Sequence, residues 1–325
     1  MRKLAQRSSK STAKATKNWT NTTLKCAANL QSQPKGNETP TISILTTVYN
    51  REKYLAECIE SVQNGHYQDY EHIIVDDGST DGSVALAQEY AAKDARIRVY
   101  QNETNLGDYP NRNQAASYAT GKYIKYLDAD DMHGRFMVDI MVDAMETFPE
   151  AGFGLFDYGP NKPLFPVVLQ PAETYAAHYS GKHPVFGRSP INAIMKRDVF
   201  KEVGGFSGKQ HVGDFELWHI LGALHPMSIM SAGPGLWREH EDQQSNDNRT
   251  DPLVPFKYFL LGLEKVSEQS CPLDETEQAS LVKKLERRLA RTVLYSFKRN
   301  SIKDTLRLKK ATGKTWVELV KDAFA

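Results

Sequence analysis

The sequence predicts an α/β fold, in which a mostly parallel sheet is flanked by helices and is followed by a helical region at the C-terminal end of the chain. Three observations favour this fold. Strand-like and helix-like stretches alternate over residues 41–148, polar acidic loops follow several of the strands, and long helical patterns replace the alternation after Pro252. Repeated strand-helix units connect parallel strands, and their helices cover both faces of the sheet.

The composition is that of a folded globular protein without a preference for nucleic acid. The chain has 325 residues, 40% of them hydrophobic, which is enough to build a core. Lys and Arg number 41 against 40 Asp and Glu, so the net charge of +1 gives no reason to expect a nucleic-acid partner. Cys26, Cys58 and Cys271 are too far apart in sequence to predict a disulfide framework or a zinc site.

The N-terminal segment predicts a tail and gives no sign of a secretory or membrane route. Residues 1–40 are basic, contain few apolar residues and end in the turn-rich PKGNETP, so we expect a flexible tail. No apolar segment typical of a secretion signal follows the basic residues, and no run of membrane-spanning length occurs. The sequence therefore predicts a cytoplasmic protein.

The strand-helix alternation begins immediately after the tail. TISILTTVYN predicts a buried strand, and REKYLAECIESVQ predicts a helix with Leu55, Ile59 and Val62 on one face. EHIIVDDGSTDGS predicts a second strand ending in a turn-rich loop. The remaining elements of this half follow in order: the helix SVALAQEYAAK, the strand IRVYQN, the loop NLGDYPNRN with a short helix ending near Gly121, the strand YIKYL and the helix RFMVDIMVDAMETF.

The second half of the chain is less regular. The stretch 159–190 is interrupted by Pro and Gly, which indicates an excursion away from the core. INAIMKRDVFKEVGGF and GDFELWHILGAL then predict a strand, a helix, a glycine turn and a second helix. After Pro252 four apolar residues recur every fourth position, Leu281, Leu285, Leu289 and Val293. This stripe predicts an appended helical region.

Three carboxylates crowd the end of the fourth strand, where the chain reads LDADD. Two carboxylates about 4 Å apart repel by roughly 4 kcal/mol at an effective dielectric constant near 20, so such a cluster is typical of a site that holds a cation. Oxygen ligands suit Mg²⁺ or Mn²⁺, which take substrate phosphates as further ligands. The alternative for an isolated DxD is a solvated strand end, and we assign Asp131 to the start of the following helix.

The loop VDDGSTDGS after the second strand resembles a calcium-binding loop in its acidic and glycine residues. It does not match the EF-hand pattern, because Gln88 stands where the EF-hand glutamate should be.

The ordered motifs resemble those of family 2 glycosyltransferases with the GT-A fold, which is Rossmann-like. TVYNREKYLAECIESV, VDDGSTDGS, NLG, RNQAASYATGKYIKYLDADD and GDFELW occur in the family's order over residues 41–245. The resemblance implies a glycosyltransferase domain over 41–252, with a nucleotide-binding half (41–131), an acceptor half (132–252) and a helical region over 253–325.

For the donor, the resemblance implies a nucleotide sugar held at three strand ends. Thr47 and Tyr49 match residues that line the base pocket, and Asp77 matches a carboxylate that accepts a hydrogen bond from a pyrimidine. The neighbouring Asp76 is assigned to fixing the loop. Asp128 and Asp130 match the DxD pair, whose side chains point to one face of the strand. Asp130 is expected to bind the metal directly, and Asp128 the ribose or the metal.

Three further matches lie outside the strand ends. Arg112 matches an arginine near the donor diphosphate, and Asp214 in GDFELW matches the general base of inverting enzymes. Glu216 is a competitor for that role, and an N-cap is the structural alternative for Asp214. His240 in WREHEDQQS is a candidate ligand of the diphosphate or metal, or else a structural histidine.

These matches predict an inverting enzyme that transfers a sugar from a metal-bound nucleotide diphosphate, a UDP-sugar, to a hydroxyl of a saccharide or glycolipid in cell-envelope polysaccharide synthesis. The cofactor is Mn²⁺ or Mg²⁺. A sugar-phosphate nucleotidyltransferase is the enzymatic alternative, but no glycine-rich basic loop follows the first strand. A non-catalytic nucleotide-sugar-binding protein is the second alternative.

We expect the apolar stripe of the C-terminal helical region to pack on the catalytic domain or on a second subunit. The alternative is that this region contacts the inner face of the cell membrane.

Overall fold

A computed structural model describes residues 39–159, 162–231, 238 and 251–325. The predicted N-terminal tail lies outside these residues, apart from its last two positions. Residues 40–325 form one compact unit.

Within the described residues, one sheet of eight strands organises this unit. The strands are β1 (Ile42–Val48), β2 (Tyr70–Asp76), β3 (Ile97–Gln101), β4 (Tyr123–Tyr126), β5 (Phe153–Asp157), β6 (Val167–Leu169), β7 (Ala193–Lys196) and β8 (Met227–Ser231). Their order is β3-β2-β1-β4-β7-β5-β8-β6. β1 pairs in parallel with β2 and β4, β2 with β3, and β5 with β8, whereas β7 and β6 run antiparallel to their neighbours. The predicted mostly parallel sheet is confirmed.

Helices cover the sheet and extend beyond it. They are α1 (Glu52–Gln63), α2 (Ser83–Ala91), α3 (Asp108–Ser117), α4 (Met137–Thr147), α5 (Pro171–Ser180), α6 (Arg197–Glu202), α7 (Gly213–Leu224), α8 (Leu253–Ser267), α9 (Glu275–Arg299), α10 (Ile302–Thr312) and α11 (Trp316–Phe324). All residues of β2, β4 and β5 are buried, as expected for strands that are covered on both faces.

The start of helix α3 differs from the sequence prediction. Helix α3 begins at Asp108, inside the stretch predicted as a loop. Pro110 made DYPN resemble a loop, but a proline is tolerated in the first helical turn because the N–H that it lacks has no partner there. Gly107 precedes the helix with φ +86°, a conformation that favours glycine.

The stretch 159–190 contributes to the core, contrary to the prediction that it lies away from it. Its described part contains β6, α5 and a short 3-10 helix, Val185–Gly187. Tyr175, Val185 and Phe186 are buried in the same cluster as Trp218 of α7. The Pro and Gly residues mark turns between short elements, so the interrupted pattern hid apolar positions that pack inward.

The C-terminal stripe packs within the chain, as predicted. Leu285 is buried in the cluster that contains Trp218, and Leu281 packs against that cluster. Leu289 and Val293 are buried in a second cluster formed by helices α8 to α11. Helix α9 therefore connects the sheet-containing part with the last two helices. No helix in the described ranges is long and apolar enough to cross a membrane.

Candidate active site

The predicted site residues meet in one cavity at the carboxyl ends of β1, β2 and β4. These strands are neighbours in the sheet, so the loops that follow them lie side by side. The cavity has a volume of about 570 Å³. Every predicted site residue within the described ranges lines it, namely Thr47, Tyr49, Asp77, Arg112, Asp128, Asp130 and Asp214. His240 lies outside the described residues.

Hydrogen bonds join the loops after β1 and β2. Asn50 has a positive φ of 52°, and its side-chain oxygen accepts a hydrogen bond from the Thr80 N–H at 2.8 Å. Its own N–H donates to the Ser79 hydroxyl at 2.8 Å. Asp76 accepts from the Gly78 and Ser79 N–H groups at 3.0 and 2.9 Å, which fits its predicted role in fixing the loop. Asn tolerates a positive φ better than most other side chains, and in this conformation Asn50 joins the two loops.

Asp77 fixes a loop as well as lining the cavity. One carboxylate oxygen accepts from the Asn102 amide and the Leu106 N–H, both at 2.8 Å, and the other accepts from the Gly107 N–H at 2.9 Å. A carboxylate has about four acceptor positions, so three donors leave room for one more. Asp77 thus holds the residues before α3 in place and keeps an acceptor position for a ligand.

Each acid of the DxD pair lies next to an arginine. Arg112 is 92% buried, its Nε donates to Asp108 at 2.7 Å, and its Nη2 lies 2.7 Å from Asp128. The third nitrogen of this guanidinium, Nη1, is buried without a hydrogen-bond partner. Arg51 Nε donates to Asp130 at 3.1 Å. Burial and the charge of Asp130 raise the pKa of Asp128 above its usual range.

The donor atoms at this place fit a divalent cation that is shared with a diphosphate. Mg²⁺ and Mn²⁺ are commonly held by one or two carboxylates together with substrate phosphates, and Asp128 and Asp130 supply those two carboxylates. Within the described residues, no group of three or more His, Cys, Asp or Glu side chains is arranged to hold a metal by itself. The two carboxylates fit a cation that takes substrate phosphate oxygens as further ligands.

Asp131 does not begin the following helix, contrary to the prediction. Helix α4 starts at Met137, and Asp131 is 3% exposed and lines the cavity. Its Oδ1 accepts a hydrogen bond from the Arg238 N–H at 3.1 Å. Burial and the charge of Asp128 raise the pKa of Asp131 to about 7. The third acid of the cluster thus contacts a residue 107 positions later, which spacing along the chain cannot reveal.

Asp214 reaches the cavity from the first turn of α7. Its backbone N–H and that of Gly213 donate to the Tyr109 hydroxyl at 3.3 and 3.1 Å. Gly213 is required there, because a Cβ would lie 2.7 Å from the Tyr109 ring. Burial raises the pKa of Asp214 from 3.8 to about 6. A carboxylate with such a pKa is a stronger proton acceptor than an exposed one and is still ionised at neutral pH.

Glu216, the competitor of Asp214, does not line the cavity. It is 4% exposed and lies 2.8 Å from Lys209 and 3.6 Å from Lys265. The Ser207 hydroxyl donates to its other oxygen. These hydrogen bonds and the Lys209 charge outweigh burial and hold the pKa of Glu216 below its usual range. The surroundings of Glu216 are those of a structural ion pair.

Several cavity residues gave no recognisable signal in the sequence. Gly187, Ser189 and Pro190 come from the Pro- and Gly-interrupted stretch 159–190, and Tyr258 comes from α8. The Tyr258 hydroxyl donates to the His211 carbonyl at 2.7 Å, and His211 also lines the cavity.

Lys125 lies fully buried behind the acidic cluster. Burial lowers the pKa of this lysine to about 7. Its Nζ donates to the Ile191 carbonyl at 2.7 Å and thereby fixes the chain that follows Pro190. The alternating strand pattern could have identified Lys125 as an inward-pointing cation next to LDADD.

Comparison with known proteins identifies a family domain in the first two thirds of the chain. Residues 43–204 match the family described as "Glycosyl transferase family 2". A Bacillus subtilis (strain 168) protein whose name refers to teichuronic acid biosynthesis, TuaG, is 40% identical over 92 residues, which is 28% of this chain and 36% of that protein. The chain spans about a third of the length of the curated relatives it matches.

Solved structures share the fold over most of both chains. S. aureus TarS 1–349 in complex with UDP-GlcNAc has a TM-score of 0.63 at 18% identity and covers 87% of this chain and 80% of that one. A mannosyltransferase from Pyrobaculum calidifontis in complex with GDP-Man and Mn²⁺ has a TM-score of 0.53 at 14% identity and covers 93% and 90% of the two chains. The predicted GT-A fold is confirmed by these neighbours.

Proposed function

The chain belongs to glycosyl transferase family 2, and on this premise we propose that it transfers a sugar, with inversion, from a UDP-sugar to a hydroxyl group of a saccharide or glycolipid. The convergence of Asp77, Asp128, Asp130, Arg112 and Asp214 on one cavity carries the proposal. These side chains come from four different elements. Together they supply separate groups that can bind a nucleobase, bind a diphosphate and accept a proton.

The pyrimidine part of the donor is assigned to the ends of β1 and β2. Tyr49 is 48% exposed in the cavity and offers a flat face with a polar tip to a base. The free acceptor position of Asp77 suits the N3–H of uracil. The solved neighbours are complexes with UDP-GlcNAc in one case and GDP-Man in the other, so the fold alone does not select the base.

The diphosphate is assigned to Arg112 and the DxD acids. The unpartnered Nη1 of Arg112 is a buried donor whose hydrogen bond a phosphate oxygen would complete. Asp128 and Asp130 would hold Mn²⁺ or Mg²⁺ against the same group, and a bound cation supplies electrostatic stabilisation of the charge on the leaving diphosphate. Arg51 keeps Asp130 oriented through its hydrogen bond.

Asp214 is assigned as the general base. The acceptor oxygen forms a bond to the anomeric carbon while the bond from that carbon to the diphosphate oxygen breaks, and the hydroxyl proton passes to the Asp214 carboxylate. The leaving group departs as the nucleoside diphosphate. Gly187, Ser189, Pro190 and Tyr258 line the same cavity and are candidates for contacts with the acceptor.

Cell-envelope polysaccharide synthesis is the proposed setting, in the cytoplasm or at the inner face of the cell membrane. The name of TuaG supports this setting, because it refers to a polymer of that kind. The sequence similarity to that relative covers 28% of this chain and 36% of that protein, so the acceptor and its linkage belong to the proposal as well.

The donor part is tested by thermal unfolding with UDP or GDP, each with Mn²⁺ and with EDTA. We expect UDP with Mn²⁺ to raise the unfolding temperature most, and Asp130→Asn to remove the contribution of Mn²⁺. Glu89→Gln, an exposed acid on α2, is the matched control and should behave like the parent. A larger effect of GDP than of UDP would exclude the pyrimidine assignment. An equal effect of UDP with Mn²⁺ and with EDTA would exclude the metal assignment.

The transfer itself is measured as UDP released from a panel of UDP-sugars in the presence of saccharide or lipid acceptors. If none of these combinations releases UDP, the proposed activity is contradicted.

A further inference from the structure

The C-terminal helices enclose a second cavity that shares no lining residue with the first. It has a volume of about 930 Å³ and lies between α8 on one side and α9 with Leu308 of α10 on the other. We call it the basic groove, because of the side chains that α9 places in it.

Five cations line the basic groove from a single helix. They are Lys284, Arg287, Arg288, Arg291 and Arg299. Their spacing brings them to one side of α9. The described lining contains no Asp or Glu, and within the described part of the chain none of the five forms an ion pair. Like charges held together without acids are typical of a surface that receives an anion.

Two side chains show how these cations are held. Arg287 Nε is buried without a hydrogen-bond partner, which is unfavourable unless a ligand completes the bond. The guanidinium of Arg288 lies 4.7 Å from the centre of the Phe259 ring on α8, which orients it across the groove. The groove therefore combines a pre-oriented arginine with an unsatisfied donor.

The region around the basic groove combines an excess of positive charge with exposed apolar side chains. Residues 275–325 contain 13 Lys and Arg against 6 Asp and Glu, although the net charge of the whole chain is only +1. Tyr295, which lines the groove, is 61% exposed, and Ile302, two residues after the lining residue Asn300, is 71% exposed. Basic side chains next to exposed apolar ones are typical of contact with an anionic lipid surface.

We propose that the basic groove binds the phosphate groups of anionic lipid headgroups. Guanidinium groups match phosphate oxygens through paired hydrogen bonds, and four of the five cations are arginines. Tyr295 and Ile302 then meet the outer part of the lipid layer. The site is separate from the proposed donor cavity, and its binding can be measured without any sugar transfer.

The test is co-sedimentation of the full chain with phosphatidylglycerol/phosphatidylcholine vesicles at low and high salt. The variant Lys284→Glu/Arg299→Glu changes two groove residues. The control, Lys283→Glu/Lys298→Glu, changes two exposed cations of the same helix that do not line the groove, so both variants alter the net charge equally. Each cation near an anionic surface contributes about 1 kcal/mol, so we expect the groove variant to bind at least about 30-fold more weakly and the control to change only a few-fold.

Three outcomes would overturn the proposal. Equal losses in the two variants would show that only overall charge matters. Absence of binding to anionic vesicles at low salt would exclude a lipid site. Binding of inorganic tripolyphosphate, measured by calorimetry and lost in the groove variant, without binding to vesicles would assign the groove to a soluble phosphate instead. Thermal unfolding with UDP and Mn²⁺ should be the same in both variants, which keeps this test independent of the proposed transferase activity.

Discussion

Asp214 and Glu216 lie two residues apart on α7, yet their surroundings give them different chemistry. Asp214 faces the cavity with its pKa raised to about 6 by burial. Glu216 is enclosed by Lys209, Lys265 and Ser207, and its pKa is lowered. A proton acceptor needs access to a substrate, whereas an ion pair needs partners, so the two acids can be separated by experiment.

Asp214→Asn should lower turnover by about 10² to 10⁴ and leave UDP affinity nearly unchanged, because the substitution removes a positioned proton acceptor but keeps its shape. Glu216→Gln should instead lower the free energy of unfolding by roughly 1–3 kcal/mol, because Lys209 and Lys265 lose their charged partner. Turnover per folded molecule should then stay near that of the parent. UDP release, calorimetry of UDP binding and urea unfolding on both variants give the comparison. If Asp214→Asn keeps parental turnover, or if Glu216→Gln is the more damaging to turnover, the general base is Glu216.

The raised pKa of Asp214 predicts opposite pH trends for activity and stability. The carboxylate accepts a proton only when ionised, so kcat/KM should fall as pH decreases through about 6. The folded state binds this proton more tightly than the unfolded chain, whose Asp pKa is near 3.8, so the contribution to stability is complete below that value and is lost as pH rises through about 6. Rates and urea unfolding from pH 4 to 8 test both trends, with Asp214→Asn as the reference that should lack them. A flat kcat/KM between pH 5 and 7 would contradict the assignment.

At the scale of single elements, the sequence predicted most strands and helices but not all of their limits and directions. Runs such as ISILTTV and YEHIIVD have the β-branched, apolar character of covered strands, and both are strands. The direction of β7 was not predictable, because an antiparallel and a parallel strand share the same side-chain period. The start of α3 was missed because Pro110 is common in loops and also tolerated in a first helical turn.

In the candidate site, local sequence patterns predicted individual residues but not the contacts between residues that are far apart in the sequence. Strand ends and the family resemblance identified seven of the residues that line the cavity. The partners of the cavity residues were not predictable, because Arg51 and Asp130 are 79 positions apart and Asp131 and Arg238 are 107 apart. Such contacts depend on how loops of different length meet, which the local pattern does not encode. Lys125 was also missed, although its place in the strand YIKYL could have indicated burial.

At the scale of the molecule, the C-terminal helices are part of the structure that forms the site. Residues 40–325 form one compact unit, and α8 packs on α7 through Tyr258 and Phe215, whose ring centres are 5.2 Å apart. The sequence placed a boundary near residue 252 because the pattern of elements changes there, and that boundary stays a prediction. Tyr258 nevertheless lines the cavity, and its hydroxyl donates to the carbonyl of His211, which has a positive φ of 69°.

This link predicts that a small change in α8 affects the acceptor side of the cavity. Tyr258→Phe removes one hydrogen bond that holds the His211 backbone in an unfavourable conformation, and a neutral hydrogen bond contributes about 0.5–1.5 kcal/mol. We expect kcat/KM for the acceptor to fall by roughly 2- to 13-fold, the ratio that corresponds to this energy, with UDP affinity unchanged, because the base and diphosphate contacts are assigned to other elements. The measurement is UDP release at varied acceptor concentration together with calorimetry of UDP. Tyr90→Phe is the matched control, since it deletes a hydroxyl bonded to Glu60 outside the cavity. Equal effects of the two substitutions, or a loss of UDP affinity in Tyr258→Phe alone, would mean that α8 supports the fold or the donor and does not shape the acceptor side.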